Sequence, residues 1–187
     1  MGTSSGHQSG GGVVDVSVLV PAKNEEGNLP LFMELMAEVV ASAPFATEVI
    51  VVDDGSDDTT WSVLERLRRE YPFLKTVRHR TQRGIAEALR SGYLHSRGRV
   101  LVFYPADLQF RPEDIPRLVA PVLAGEADIV TGYKQGRYSK AFVSRVYNWL
   151  SRVLFHVPVH DLNSVKAYRR EVMESVPMRP DWHRYMV

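Results

Sequence analysis

Three short runs of acids and amides in this chain could do chemistry together: Asn24-Glu25-Glu26, Asp53-Asp54 and Asp107-Leu-Gln109. Each follows directly on an apolar run. Asp107 and Gln109, two residues apart, offer hard oxygen ligands of the kind Mg²⁺ or Mn²⁺ prefers. A metal held there would neutralise a diphosphate and stabilise its departure as a leaving group. Asp53 can accept hydrogen bonds from a base N–H or from ribose hydroxyls. Any one of these runs is equally what a turn or a helix cap after a strand requires. Three of them at matching positions point to a hydroxyl-rich, phosphate-bearing ligand.

The elements that would carry these runs alternate. Apolar β-rich stretches at 14–20, 47–52, 74–78, 100–104, 129–132 and 165–168 read as strands. Between them, a helix ending near Ala43 shows an apolar stripe of Leu31, Leu35, Met36, Val39 and Val40. A second spans 60–70 with Trp61, Leu64 and Leu67, capped by Asp57 or Asp58, and a third spans 85–95 with Ala86, Leu89 and Tyr93. Pro112-Glu-Asp opens a fourth, in the position where proline suits a helix start, and a short helix is expected at 171–176. Alternation at this spacing predicts an α/β domain, a mostly parallel central sheet with helices on both faces. Parallel strands bring their C-terminal ends to one edge, where open α/β sheets bind ligands, so the three polar runs should converge there.

Composition narrows the choices. The 187 residues, 44% hydrophobic and 24% charged, suit one soluble globular domain over 13–187. A net charge of +1 gives no global field for nucleic acid or anionic membrane. There are no cysteines, which excludes disulfides and thiolate metal sites. No G-x-G-x-x-G or G-x-x-x-x-G-K-[ST] run is present, against a dinucleotide enzyme or a P-loop NTPase. The Gly/Ser-rich residues 1–12 read as a disordered tail or an expression remnant. No apolar run reaches the roughly 20 residues that span a bilayer. Trp182-His-Arg-Tyr-Met-Val187 ends without a cap or turn signal, so continuation of the natural chain is expected, in segments that could include membrane helices.

Longer blocks add specificity. Val18-Leu-Val-Pro-Ala-Lys-Asn-Glu-Glu26, Glu48-Val-Ile-Val-Val-Asp-Asp-Gly-Ser-Asp-Asp-Thr59 and Gly84-Ile-Ala-Glu-Ala-Leu-Arg-Ser-Gly92 resemble the N-terminal blocks of family 2 glycosyltransferases of the GT-A (Rossmann-like) fold. Asp128-Ile-Val-Thr-Gly132, Ser144-Arg-Val-Tyr-Asn148 and Asp161-Leu-Asn-Ser164 resemble the dolichol-phosphate-mannose-synthase-like branch, which acts on polyprenyl phosphates. Each block is degenerate alone; six in order over 16–187 are specific.

The resemblance implies a nucleotide-diphosphate-sugar donor, UDP- or GDP-linked. It implies nucleotide contacts at Pro21, Ala22, Asn24, Glu25, Asp53, Asp54, Gly84 and Ala106, with Asp53 on the base. It implies Mg²⁺ or Mn²⁺ at Asp107 and Gln109, and Asp107 and Asp161 in the catalytic roles. Lys134, Lys140 and Ser144 would take the acceptor phosphate. The reaction would invert the anomeric centre, on the cytoplasmic face of a membrane to which the soluble domain is peripheral or tethered.

The chain departs from the branch's pattern at its metal motif. The expected Asp-Ala-Asp-Leu-Gln is Pro105-Ala-Asp-Leu-Gln109, so one acid is lost. Gln82 stands for an Asn, Lys134 and Lys140 for Arg, and Val165 for a Gly. Lys is a point charge and lacks the bidentate fork of Arg. The segment 140–155 is rich in Trp, Tyr and apolar residues, and could lie at a membrane interface or pack on the core. Two alternatives stay open: transfer to a saccharide or lipid acceptor with Asp161 as base, or a non-catalytic nucleotide-sugar-binding module. Of the six histidines only His160, beside Asp161, draws attention.

Overall fold

The computed structural model describes residues 13–132 and 165–175. Its elements are β1 (Val16–Ala22), α1 (Leu29–Ser42), β2 (Thr47–Asp54), α2 (Thr60–Glu70), β3 (Leu74–His79), α3 (Ile85–His95), β4 (Val100–Phe103), a 3₁₀ turn (Pro112–Asp114), α4 (Ile115–Leu123), β5 (Ile129–Thr131), β6 (Lys166–Arg169) and α5 (Arg170–Ser175). The six strands form one sheet in the order β3-β2-β1-β4-β6-β5. β1 pairs in parallel with both β2 and β4, and β2 with β3. β6 runs antiparallel to β4 and to β5, and is the one reversed strand among those described. The mostly parallel α/β sheet expected from the alternation is the sheet observed.

Period-two alternation splits the strand residues between two cores. Val16, Val18, Val20, Val49, Val51, Val100 and Val102 face α1, α2 and α4. Leu19, Ile50, Val52, Leu101 and Phe103 face α3 and α5, through Ala88, Leu89 and Met173. Strands buried on both faces read as unbroken apolar runs, which is why β1, β2 and β4 were legible.

Two expected details change. The buried stripe of α1 is Leu29, Phe32, Met33, Met36 and Val39, while Leu31 is half exposed. Leu29-Pro-Leu-Phe-Met-Glu-Leu-Met is apolar nearly all round, so spacing alone fits two phases; exposed Glu34 and Glu38 mark the outer face and fix it. β1 also continues through Pro21 to Ala22 rather than stopping before the proline. The ladder to β4 ends at Leu19–Phe103, so from Val20 onward β1 has, among the described residues, only β2 as a ladder partner. That edge-like setting tolerates a residue without an N–H. There β1 and β4 part, in a sheet whose order steps outward from β1 to β2 on one side and to β4 on the other. This is the topological switch point at which open α/β sheets form their binding crevice.

Candidate functional site

The loops after β1 and β2 are latched to each other. Lys23 Nζ donates to the Gly55 carbonyl at 2.9 Å. The Asn24 N–H donates to Ser56 Oγ at 2.9 Å, and Asn24 Oδ1 accepts from the Asp57 N–H at 3.1 Å. The Glu25 N–H donates to Thr60 Oγ1 at 2.9 Å, and Glu26 accepts from the Thr59 N–H and hydroxyl. Asn24 takes a left-handed φ of 57°, a conformation its short amide tolerates better than most side chains do. Glu25 spends its Oε2 on Asn28 Nδ2, 2.7 Å away. Pro21 and Ala22 form the last turn of strand beneath this latch.

Asp53 is fully buried at the end of β2. Its Oδ1 accepts from the Ser56 N–H at 2.9 Å. Among the described residues its Oδ2 makes no hydrogen bond; Arg78 Nε lies 3.5 Å away as a charge contact. The Arg78 guanidinium is held over Trp61, 5.1 Å from the ring centroid. A buried carboxylate oxygen with a guanidinium 3.5 Å away as its charge partner keeps unused acceptor capacity.

Asp54, the next residue, serves the opposite face of the sheet. Its Oδ1 accepts from the Arg83 N–H at 2.8 Å, its Oδ2 from the Gly84 N–H at 2.8 Å, and His79 Nδ1 lies 2.7 Å from Oδ1. Gly84 has φ 93°, Gly55 φ 70°. A Cβ on Gly55 would stand 2.5 Å from the Gln82 amide nitrogen, so only glycine lets the 80–84 loop close on the end of β2.

Across the crevice, β4 leads into the turn carrying Asp107 and Gln109. Leu108 and Phe110 pack on the core while Asp107 and Gln109 are exposed. Leu108 holds a left-handed φ of 55°. Asp107 Oδ1 accepts from the Gln109 N–H at 3.1 Å, which leaves Oδ2 for other partners. Fully buried Tyr104 braces the turn by donating its hydroxyl to the Phe110 carbonyl at 2.6 Å. Burial, with Glu113, Asp107 and Asp114 nearby, pushes the Tyr104 phenol far above its ordinary range, so it remains a donor. Tyr104→Phe should lower stability by about 1 kcal/mol, the value of one such bond. A urea denaturation series would read that loss, and an unchanged midpoint would mean the brace carries no load.

Among the described residues no group of three or more His, Cys, Asp or Glu could hold a metal ion alone. Asp107 and Gln109 are nevertheless the right donors for a hard cation that draws its remaining ligands from phosphate oxygens and water. Pro105, half-buried, adds no side-chain oxygen. Ala106 is buried beneath the turn. A cleft of about 270 Å³ lined by Arg99, Val122, Gly125 and Arg169 lies at the opposite, N-terminal edge of β4, away from the acids. Lys134, Lys140, Ser144, Asp161, His160 and the 140–155 segment lie outside the described residues.

The structure thus gathers the β1, β2 and β4 strand ends on one edge, with Asn24, Glu25, Asp53 and Gly84 on one side of the switch point and Asp107 and Gln109 on the other. His79, buried beside Asp54, is a residue that sequence reasoning missed. The signal was present only in strand register: Asp54 and His79 are paired partners of β2 and β3.

A doubly wound α/β sheet with acids at the strand ends that flank its switch point belongs to the class of folds that bind their ligands at that edge. Within that class, the model of glycosyl transferase family 2 matches residues 17–175, and the chain belongs to that family. It is 34% identical over 174 residues to the polyprenol monophosphomannose synthase of Mycolicibacterium smegmatis, covering 86% of this chain and 64% of that protein. It is 30% identical over 179 residues to the dodecaprenyl-phosphate galacturonate synthase of Rhizobium johnstonii, covering 92% of this chain and 53% of that one. Among solved structures it resembles the glucosyl-3-phosphoglycerate synthase of Mycobacterium tuberculosis in complex with Mn²⁺, uridine diphosphate and glucosyl-3-phosphoglycerate. That match has a TM-score of 0.69 at 26% identity and covers 88% of this chain and 60% of the other. The chain thus spans roughly half to two thirds of the length of these proteins.

Proposed function

We propose that this domain transfers a sugar from a nucleotide-diphosphate donor to a polyprenyl-phosphate acceptor. The observation that supports the reading is the placement, on either side of the switch point, of a buried carboxylate with an unused acceptor oxygen, Asp53, and an exposed turn carrying Asp107 and Gln109. The likeness to synthases named for polyprenyl-phosphate products supports the acceptor class.

In this reading Asp53 accepts an N–H of the base, and the latched loop of Pro21, Ala22, Asn24 and Glu25 walls the nucleoside. Gly84 and Ala106 border the same crevice. Asp107 and Gln109 would hold Mg²⁺ or Mn²⁺, and the ion would neutralise the diphosphate. An acceptor phosphate oxygen attacks the anomeric carbon, the carbon–oxygen bond to the diphosphate breaks, and nucleoside diphosphate leaves with the bonding pair. A single displacement inverts the anomeric centre. Phosphate is already an oxyanion at neutral pH, so positioning and leaving-group stabilisation suffice without a strong base. Lys134, Lys140 and Ser144 are the proposed acceptor-phosphate contacts, and Asp161 the group orienting the acceptor. The reaction would take place at the cytoplasmic face of a membrane, with the domain peripheral to or tethered on it. Among the described residues no helix is long and apolar enough to cross a membrane.

Calorimetric titration with UDP and with GDP, each with and without Mg²⁺, tests the donor site. One nucleotide should bind at least about tenfold more tightly with metal present, and Asp107→Ala should erase that difference; tenfold corresponds to about 1.4 kcal/mol. If neither nucleotide binds the unmodified protein, the donor-site reading fails. Sugar transfer onto a polyprenyl phosphate, against a saccharide acceptor as control, then separates the acceptor classes and distinguishes an enzyme from a binding module.

A further inference from the structure

We infer that His79 and Asp54 are positioning residues that set the 80–84 loop against the nucleoside site, so that Asp54 serves the nucleotide through main chain rather than by touching it. This rests on the donor-site reading above.

Asp53 and Asp54 are adjacent on a strand, so their side chains leave opposite faces of the sheet. The surroundings follow that division. Asp53 shares its face with Arg78 and Trp61 of α2. Asp54 shares the other with His79 of β3 and Ser91 of α3. His79 Nδ1 lies 2.7 Å from Asp54 Oδ1, and its Nε2 2.8 Å from Ser91 Oγ. Asp54 and His79 are each 5% exposed. A carboxylate only accepts, so Nδ1 carries the proton of the Asp54 bond. In the neutral ring Nε2 then accepts the Ser91 hydroxyl. One bond fixes the ring's tautomer and the other its tilt, as an outer partner does for a working histidine.

The output of this relay is main-chain geometry. Each Asp54 oxygen takes one amide, Arg83 on Oδ1 and Gly84 on Oδ2, so the carboxylate plane fixes two consecutive N–H groups as a fork. That fork brings the loop so close to the end of β2 that Gly55 has no room for a Cβ below Gln82. Gly55 is also the carbonyl that Lys23 holds, and Ser56, one residue on, binds both Asp53 and the Asn24 amide. The chain from Asp54 through the 80–84 loop therefore buttresses the turn that orients Asp53. Without His79, Asp54 loses a donor that fixes its rotamer, and the fork can swing.

The test compares His79→Ala, His79→Asn and Ser91→Ala with the unmodified chain, using nucleotide calorimetry together with amide hydrogen exchange. Asn places a side-chain N–H near the position of Nδ1 and should restore the Asp54 bond. His79→Ala should weaken UDP or GDP binding by about tenfold, the scale of one charge-assisted hydrogen bond. The Arg83 and Gly84 amides should lose protection while core amides of β1 and β4 keep theirs. His79→Asn should regain most of both, and Ser91→Ala should show a smaller loss of both. Unmodified binding together with full-affinity binding by His79→Ala overturns the inference. Uniform loss of protection across the core, with no rescue by Asn, makes His79 a stability residue only and also overturns it. Absence of binding by the unmodified chain takes away the donor site itself, and the inference with it. That result is distinct from the first, in which the unmodified chain binds.

Discussion

Asp53→Asn should lower the affinity for the bound nucleotide by about a hundredfold while lowering stability only modestly, by about 1–2 kcal/mol. The two oxygens of Asp53 have separate jobs. Oδ1 holds the Ser56 amide and thereby the turn after β2. Asparagine keeps that oxygen, so the turn survives. At Oδ2 the substitution puts an NH₂ group facing Arg78 Nε, a donor against a donor. A base N–H arriving there would meet no acceptor. A hydrogen bond to a charged group contributes about 1.5–3 kcal/mol, and its loss with mismatched donors reaches the upper part of that range, about a hundredfold. Arg78 is half exposed, so water can take the place of its lost partner, but the buried NH₂ left facing it is unsatisfied and should cost about 1–2 kcal/mol of stability. Calorimetry with the preferred nucleotide and a thermal melt on the same sample read both halves. Nucleotide binding equal to the unmodified chain would remove Asp53 from the base contact.

The legible part of this molecule is the part with a simple period. β1, β2 and β4 are buried on both faces and read as apolar runs, and their parallel order brings Asn24, Asp53 and Asp107 to one edge. The hidden part depends on register and on which face a side chain leaves. Asp53-Asp54 reads as one acidic pair in sequence, yet the pleat sends its members to opposite faces, one to Arg78 and one to His79. β3 reads as ending at Arg78; it continues to His79 because the imidazole is buried against Asp54 and Ser91, contacts some 25 and 12 residues away that no local pattern announces. The α1 stripe is legible only in part for a related reason: Met36 and Val39 are buried as expected, but Leu31 faces out and Leu29, Phe32 and Met33 face in, since a helix apolar on most faces is oriented by its two exposed glutamates. Pro21 read as a strand end because the parting of β1 from β4 is a property of the sheet.

The largest effect on stability should come from the opposite edge of the sheet, where no ligand is proposed. Glu48 is 4% exposed, and its Oε1 accepts from Ser17 Oγ at 2.7 Å and from the Arg97 N–H at 2.5 Å. Ser17 Oγ in turn accepts the Gly98 N–H at 2.8 Å. Oε2 lies 2.6 Å from Lys75 Nζ, a charge contact without good hydrogen-bond alignment. One carboxylate therefore ties β1, β2, β3 and the turn before β4. Glu48→Leu leaves the buried Ser17 hydroxyl and the Arg97 amide without their acceptor and should cost about 3–4 kcal/mol, a large part of the roughly 5–15 kcal/mol that holds a domain folded. Glu48→Gln keeps the accepting oxygen but turns an NH₂ toward Lys75, and should cost about half as much. The pH dependence has a definite sign. Burial alone would raise the Glu48 carboxyl, but Lys75, Ser17 and the Arg97 amide outweigh it and hold it below its ordinary value of 4.5. A carboxyl depressed by folding contributes stability above its unfolded pKa and loses it as pH falls through the folded value. The gap in unfolding free energy between the unmodified chain and Glu48→Gln should therefore be full at pH 6 and narrow steadily below about pH 4.5. Denaturant melts at a series of pH values read it directly. A gap that stays constant down to pH 3 would mean that the carboxylate's charge contributes nothing to holding this edge together.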